Sequence, residues 1–296
     1  MYADLHRHLD GSIRPAVLAD LARAAGVPVP ADLAFSPGMG LAAALSRFAF
    51  TLSLLTTPAS VRRVAADMCA DAVAERVTTL EIRFAPQLHV GASPAAIVDA
   101  ALDGIDGRAG LVLCGLYGEP PAVLDHLVDL ARSRPGVVGI DLAGGPAPGH
   151  DWSMDDYAPA FRRAADHGLG RTVHAGEGRP PAEIRVAIEH LLAQRIGHGT
   201  SLLEDPAVVD LVLERGVTIE ACPTSNVHTG LLPSVAAHPL ARWLALGVRV
   251  CVNTDNTLLS AVDAPEEHRR VRAIPGIDDD ALARLIAFGH AGAFRR

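Results

Sequence analysis

Eight short runs rich in Val, Ile and Leu recur along the chain, and this repetition restricts its fold more than any other feature. The runs are YADLHRHL (2 to 9), TTLEIRFA (78 to 85), LVLCGLYG (111 to 118), GVVGIDLAG (136 to 144), RTVHAGE (171 to 177), RIGHGT (195 to 200), VTIEACP (217 to 223) and VRVCVNTD (248 to 255). Longer segments with helical spacing separate them, at 61–77, 93–105, 122–133, 158–168, 181–193 and 206–216. In the last of these Val208, Leu211 and Val212 fall on one side, as a helix covering a sheet requires. Apolar strands alternating with such helices are the pattern of βα units around a parallel sheet. Eight units predict an α/β chain folded as a (β/α)8 TIM barrel, a single domain over residues 1–296. The connection 10–77 is much longer than the others and predicts extra helices, with the apolar segment LSRFAFTLSLL (45 to 55) able to cap the barrel mouth.

No Ser/Gly linker, low-complexity tract or other repeat interrupts this alternation. A formal net charge of −8 without basic runs leaves no positive face for nucleic acid or an anionic membrane. A small neutral molecule is the expected partner. Cys69, Cys114, Cys222 and Cys251 lack CxxC spacing and read as buried thiols of a reducing compartment. With no basic leader ahead of His6 and no apolar run long enough to span a bilayer, the expected location is the cytoplasm. Nothing in the pattern bears on oligomeric state.

Barrel enzymes carry their chemistry at the C-terminal ends of the strands, and the polar residues here obey that placement. Run one ends in His6 and His8, whose spacing of two puts both imidazoles on one strand face. Run five ends in His174, with Glu177 three residues on; run six supplies His198, run seven the turn CPTSN (222 to 226), and run eight Asp255 and Asn256. A single strand histidine is ordinarily a core or surface residue, and His89, His126, His150, His167, His190, His238, His268 and His290 are read that way. Convergence changes the reading, because four strand ends bring imidazole or carboxylate to one volume where unpaired polar groups would be costly. Three imidazoles and a carboxylate suit Zn²⁺, and a coordination position left for water makes such a site catalytic. A carboxylic acid at Glu177 is placed to shuttle protons.

DLHRHLDGS, LEIRFAP, DLAGG, TVHAGEG, RIGHGT, CPTSN and VNTDN, in that order, resemble the motifs of the adenosine deaminase family, a zinc branch of the amidohydrolase barrels. The resemblance runs from about residue 4 to about residue 290. It implies hydrolytic deamination of an aminopurine nucleoside, adenosine or deoxyadenosine, with one Zn²⁺ per chain and water as co-substrate. Carried over by position, His6, His8, His174 and Asp255 would be the zinc ligands. Glu177 would protonate purine N1, and His198 would hold and polarise the attacking water. Asp10 would accept from a ribose hydroxyl, the Gly144 backbone would face purine N3, and Leu45 and Phe48 would form an apolar lid.

Three departures from the family pattern matter. Asn256 stands where an aspartate reaching purine N7 is usual, and its amide can donate to N7 without taking up a proton. The chain ends at Arg296, soon after AFGHAGAF, where relatives usually continue, and the segment from Pro28 to Leu41 is abbreviated. Adenine, an N6-substituted adenosine monophosphate and another adenosine-like nucleoside therefore stay open as substrates. A nucleotide would want a cationic clamp, for which Arg7, Arg14 and Arg179 are the nearby candidates. From another class comes a non-catalytic nucleoside-binding barrel, which would be expected to have lost a ligand or the acid. The absence of lysine disfavours two-metal barrels bridged by a carbamylated lysine, and the cytidine-deaminase pattern of HxE with PCxxC is missing.

Overall fold

A computed structural model describes residues 1–145 and 149–294. Its eight strands are β1 (Tyr2–His8), β2 (Val77–Phe84), β3 (Gly110–Leu116), β4 (Val137–Ala143), β5 (Gly170–Ala175), β6 (Arg195–His198), β7 (Thr218–Ala221) and β8 (Arg249–Val252). They form one sheet in sequence order, with every neighbouring pair parallel. The sheet returns on itself just beyond β8, where the Asp255 N–H donates to the His6 carbonyl at 2.9 Å and the His8 N–H to the Asp255 carbonyl at 2.8 Å. All eight apolar runs thus become strands of a (β/α)8 barrel. Sheets covered on both faces need strands that are apolar on both, which is why these read as nearly continuous Val/Ile/Leu.

Most of the covering helices carry a proline in their first turn. The helices are α1 (Pro15–Ala25), α2 (Leu41–Leu54), α3 (Pro58–Ala74), α4 (Pro94–Ile105), α5 (Pro121–Arg132), α6 (Ala158–Asp166), α7 (Pro181–Glu189), α8 (Pro206–Arg215), α9 (Pro223–His228), α10 (Leu240–Ala245), α11 (Ala264–Arg272) and α12 (Asp279–Gly292). Proline has no N–H to lose at that position and is preset for the helix. Thr57 adds a reciprocal cap to α3, accepting from the Ser60 N–H at 3.1 Å while the Thr57 N–H donates to Ser60 Oγ at 3.3 Å.

The long first connection holds α1, α2 and α3, and α2 lies across the mouth as the apolar segment 45–55 predicts. One expectation is corrected: CPTSN is not a turn but the start of α9, because Pro223 initiates a helix whose Asn226 N–H reaches the Cys222 carbonyl at 3.0 Å. Among the described residues no single helix is long and apolar enough to cross a membrane.

Candidate active site

Four imidazoles meet at the C-terminal mouth. The His6 and His174 rings lie 4.5–5.4 Å from each other and from those of His8 and His198 between centroids, and these pairs meet edge-on or tilted. Asp255 completes the group, its Oδ1 standing 3.6 Å from His6 Nε2 and 3.4 Å from His8 Nε2. The backbone is strained where two of these side chains are presented, with φ +65° at His198 and +61° at Asp255. Such left-handed conformations are costly for residues with a side chain and persist where the surrounding fold imposes them, commonly at functional sites.

The tautomers follow from what each ring's other nitrogen touches. His6 Nδ1 is 2.7 Å from Glu220 Oε2, and His174 Nδ1 is 3.1 Å from Asp141 Oδ1. Both carboxylates accept, so each Nδ1 carries the proton and each Nε2 turns a lone pair inward. His198 is the opposite case: the Asn226 amide donates to its Nδ1 at 3.0 Å, so the proton sits on Nε2, 3.7 Å from Glu177 Oε2. It faces the site as a donor. Burial pushes His6 and His8 well below the usual histidine range and His198 down to about 4, which keeps all three neutral. Burial also pulls on His174, but the adjacent Asp141 carboxylate outweighs it and leaves this ring raised.

These residues fit a divalent metal ion. The ligand atoms of His6, His8 and His174 lie within 4.8 Å of one another, as do those of His6, His198, Cys222 and Asp255. The His6 and His8 Nε2 atoms are 3.3 Å apart. A tetrahedral shell with Zn–N bonds of about 2.0–2.1 Å has edges of roughly this length. Two inward lone pairs with carboxylates behind them are the arrangement that holds metal-binding imidazoles in place.

Around this centre stand the other residues singled out in the sequence. Glu177 is buried, and burial raises its carboxyl, favouring the protonated acid. Asp10 is pushed up to about 7 by burial, with Asp255 adding to the effect. Asp10 Oδ1 and Asn256 Oδ1 are buried oxygens without a hydrogen-bond partner, a state that a ligand would relieve. Asn256 packs so closely over Gly11 that a Cβ there would collide with its amide. His8, Leu45, Phe48, Gly144, His174, Glu177, His198, Asp255 and Asn256 line the innermost cavity, of about 60 Å³. It adjoins a second cavity of about 420 Å³, also lined by His8, Leu45, Phe48 and Gly144, that extends past Asp10 over Leu88, Leu116 and Ala143. Phe48 packs edge-on to His8, whereas Leu45 stands at the lip, 42% exposed.

The three cations considered for a phosphate are all engaged. Arg7 pairs with Asp4 at 2.9 Å and Glu75 at 2.6 Å, Arg14 with Asp67 at 2.6 Å, and Arg179 with Glu183 at 2.5 Å.

Sequence reasoning missed Asp141, Glu220 and Arg83. Arg83 joins the two carboxylates, its Nη1 2.8 Å from Asp141 Oδ2 and its Nη2 2.8 Å from Glu220 Oε2, with all three side chains fully buried. Their signal was a charge inside an otherwise apolar strand. Cys222, fully buried against the same centre, was read only as a core thiol.

A family profile described as adenosine deaminase matches residues 2–295. An adenosine deaminase of Serratia proteamaculans is 36% identical over 286 residues, covering 90% of this chain and 85% of its own. Three solved structures, each 25% identical and each matched over 100% of this chain, superimpose with a TM-score of 0.88. They are an adenine deaminase of Arthrobacter aurescens (94% of that chain), a zinc-bound amidohydrolase of Burkholderia ambifaria (86%) and an Arabidopsis N6-mAMP deaminase (93%).

Proposed function

The chain belongs to the adenosine deaminase family and is a hydrolytic deaminase acting on a C–N bond; from that premise we propose that residues 1–296 form one catalytic domain that deaminates adenosine or deoxyadenosine with one Zn²⁺. The observation that carries this reading is the division of the imidazoles by tautomer. His6 and His174 offer lone pairs and join His8 and Asp255 as the ligand set, while His198 offers an N–H. Zinc held there supplies Lewis acidity that lets water ionise near neutral pH.

The chain's own residues do the rest. Glu177, whose acid form burial favours, gives its proton to purine N1 and makes C6 electrophilic. The His198 Nε2–H holds the attacking water against C6. Water adds to C6 and gives up its two protons, one restoring the Glu177 acid and the other passing to the exocyclic amine, whose bond to C6 then breaks so that ammonia leaves. Asn256 donates to N7 from its amide, the Gly144 backbone faces N3, and Asp10 takes a ribose hydroxyl in answer to its unmatched oxygen. Phe48 and Leu45 close over the base from α2.

A nucleoside is favoured over a nucleotide because Asp10 and Glu119 line the larger cavity and Arg7, Arg14 and Arg179 are each neutralised. The test is loss of ultraviolet absorbance with adenosine, deoxyadenosine, adenine and adenosine monophosphate in parallel. Turnover of the two nucleosides well above the others supports the reading. Preference for adenine or the monophosphate moves the substrate to another branch, and zinc-loaded protein inert on every aminopurine returns the reading to a nucleoside-binding barrel.

A further inference from the structure

Beneath the mouth a chain of charges crosses the barrel interior and ends on an aromatic ring. Glu220 Oε2 accepts from His6 Nδ1 at 2.7 Å and Arg83 Nη2 at 2.8 Å. Its Oε1 accepts from Thr172 Oγ1 at 2.9 Å and lies 2.6 Å from Nε of Arg195, at the start of β6. Arg195 in turn gives Nη2 to Glu81 on β2 at 2.5 Å and Nη1 to the Gly292 carbonyl at the end of α12 at 2.9 Å. Phe294 follows, its ring centred 3.5 Å from the Arg195 guanidinium carbon and its N–H donating to Glu81 Oε1 at 2.5 Å. Gly139 and Gly170, paired in register on β4 and β5, make room for the ring. A Cβ on Gly139 would approach it to 2.8 Å, and one on Gly170 would collide.

We propose that Phe294 is a positioning residue for the metal centre, acting through Arg195 and Glu220 on His6. Arginine has many rotamers, and Arg195 could present its charge to either carboxylate in several ways. A ring laid on the guanidinium face leaves its edge for the hydrogen bonds to Glu81 and the Gly292 carbonyl and for the ion pair with Glu220. Glu220 is then held to one orientation, in which the same oxygen serves Arg83 and His6. That fixes the His6 Nδ1 proton and aims its Nε2 lone pair.

The inference rests on His6 being a zinc ligand, so zinc affinity of the full chain is the readout, measured by competition with a chromophoric chelator alongside melting of the metal-free form. Losing a hydrogen-bond partner of a metal-binding histidine costs about 10–100-fold in affinity; two steps further out, Phe294→Ala is expected to weaken zinc about ten-fold, the low end of that range. Phe294→Tyr, which keeps the ring face, should restore affinity to within about two-fold of wild type. A ring that merely plugs the barrel gives the opposite split: melting falls in Phe294→Ala while zinc affinity stays at the wild-type value, and the proposal is overturned. Should the alanine variant not fold, Phe294→Leu keeps most of the volume without the π face, and wild-type zinc affinity in that variant overturns the proposal equally. Wild-type protein that binds no zinc fails differently, by removing the ligand reading beneath it.

Discussion

The barrel buries charge at both ends, but it pairs every carboxylate oxygen at only one. On the floor side each carboxylate oxygen has a partner: Glu81 meets the Phe294 N–H and Arg195, and Glu220 meets Thr172, Arg195, Arg83 and His6. At the mouth Asp10 and Asn256 each keep an unmatched buried oxygen, and four imidazoles crowd together beside a cavity. An unpaired buried polar group costs about 1–3 kcal/mol, so a fold that tolerates several in one place has a reason to. The paired carboxylates of the floor serve architecture, whereas the unmatched oxygens of the mouth face the cavity where a ligand would bind. Arg83, Asp141 and Glu220 join the two, since each carboxylate faces a mouth histidine on one side and arginine on the other.

The largest effect that would sharpen this contrast belongs to the mouth. Glu177→Gln should lower kcat by about 10²–10⁴, the usual worth of a general acid, with zinc content unchanged by elemental analysis. The pH profile gives the sign of the same effect. Burial raises the Glu177 pKa, so its acid form persists above the ordinary glutamate range and is lost as pH rises through the folded value. Activity should therefore fall on the alkaline side of that value, and a rate that climbs steadily with pH through the carboxylate range would rule the acid role out.

Next comes the boundary. Glu220→Gln keeps the shape but loses the charge between Arg83, Arg195 and His6, and should weaken zinc by about 10–100-fold in chelator competition. Unchanged affinity would make the floor and mouth independent.

Smaller effects test recognition. Asn256→Ala should lower kcat/KM about ten-fold, the value of roughly 1.4 kcal/mol for one lost hydrogen bond. Asn256→Asp should be active only while its carboxyl is protonated, adding a loss of activity as pH rises. Wild-type kinetics in the alanine variant would remove Asn256 from purine binding. The least effect is expected on the lid, where Phe48→Ala should raise KM by about three- to ten-fold from lost apolar burial, and Leu45→Ala, already exposed at the lip, by less.

The strands were legible because parallel strands covered on both faces have to be apolar throughout, and all eight runs carry that mark. The mouth residues were legible because each stands at or just past the C-terminal end of a strand, so placement came with the fold. What stayed hidden was pairing at a distance: nothing local connects Arg83 to Glu220, 137 residues away, or His6 to the same carboxylate, 214 away. CPTSN looked like a turn because Ser, Thr and Asn favour turns, whereas Pro223 used them to open a helix. Residues 146–148, which follow the DLAGG motif, lie outside the described residues.

The most direct test of the central claim is a zinc titration of metal-stripped protein, with adenosine turnover read by absorbance at each addition. Turnover should start near zero and rise linearly to a plateau at one zinc per chain, with Glu177→Gln taking up the same zinc and staying inactive. Full turnover by the stripped protein, or a filled zinc site that deaminates no purine, would contradict the account.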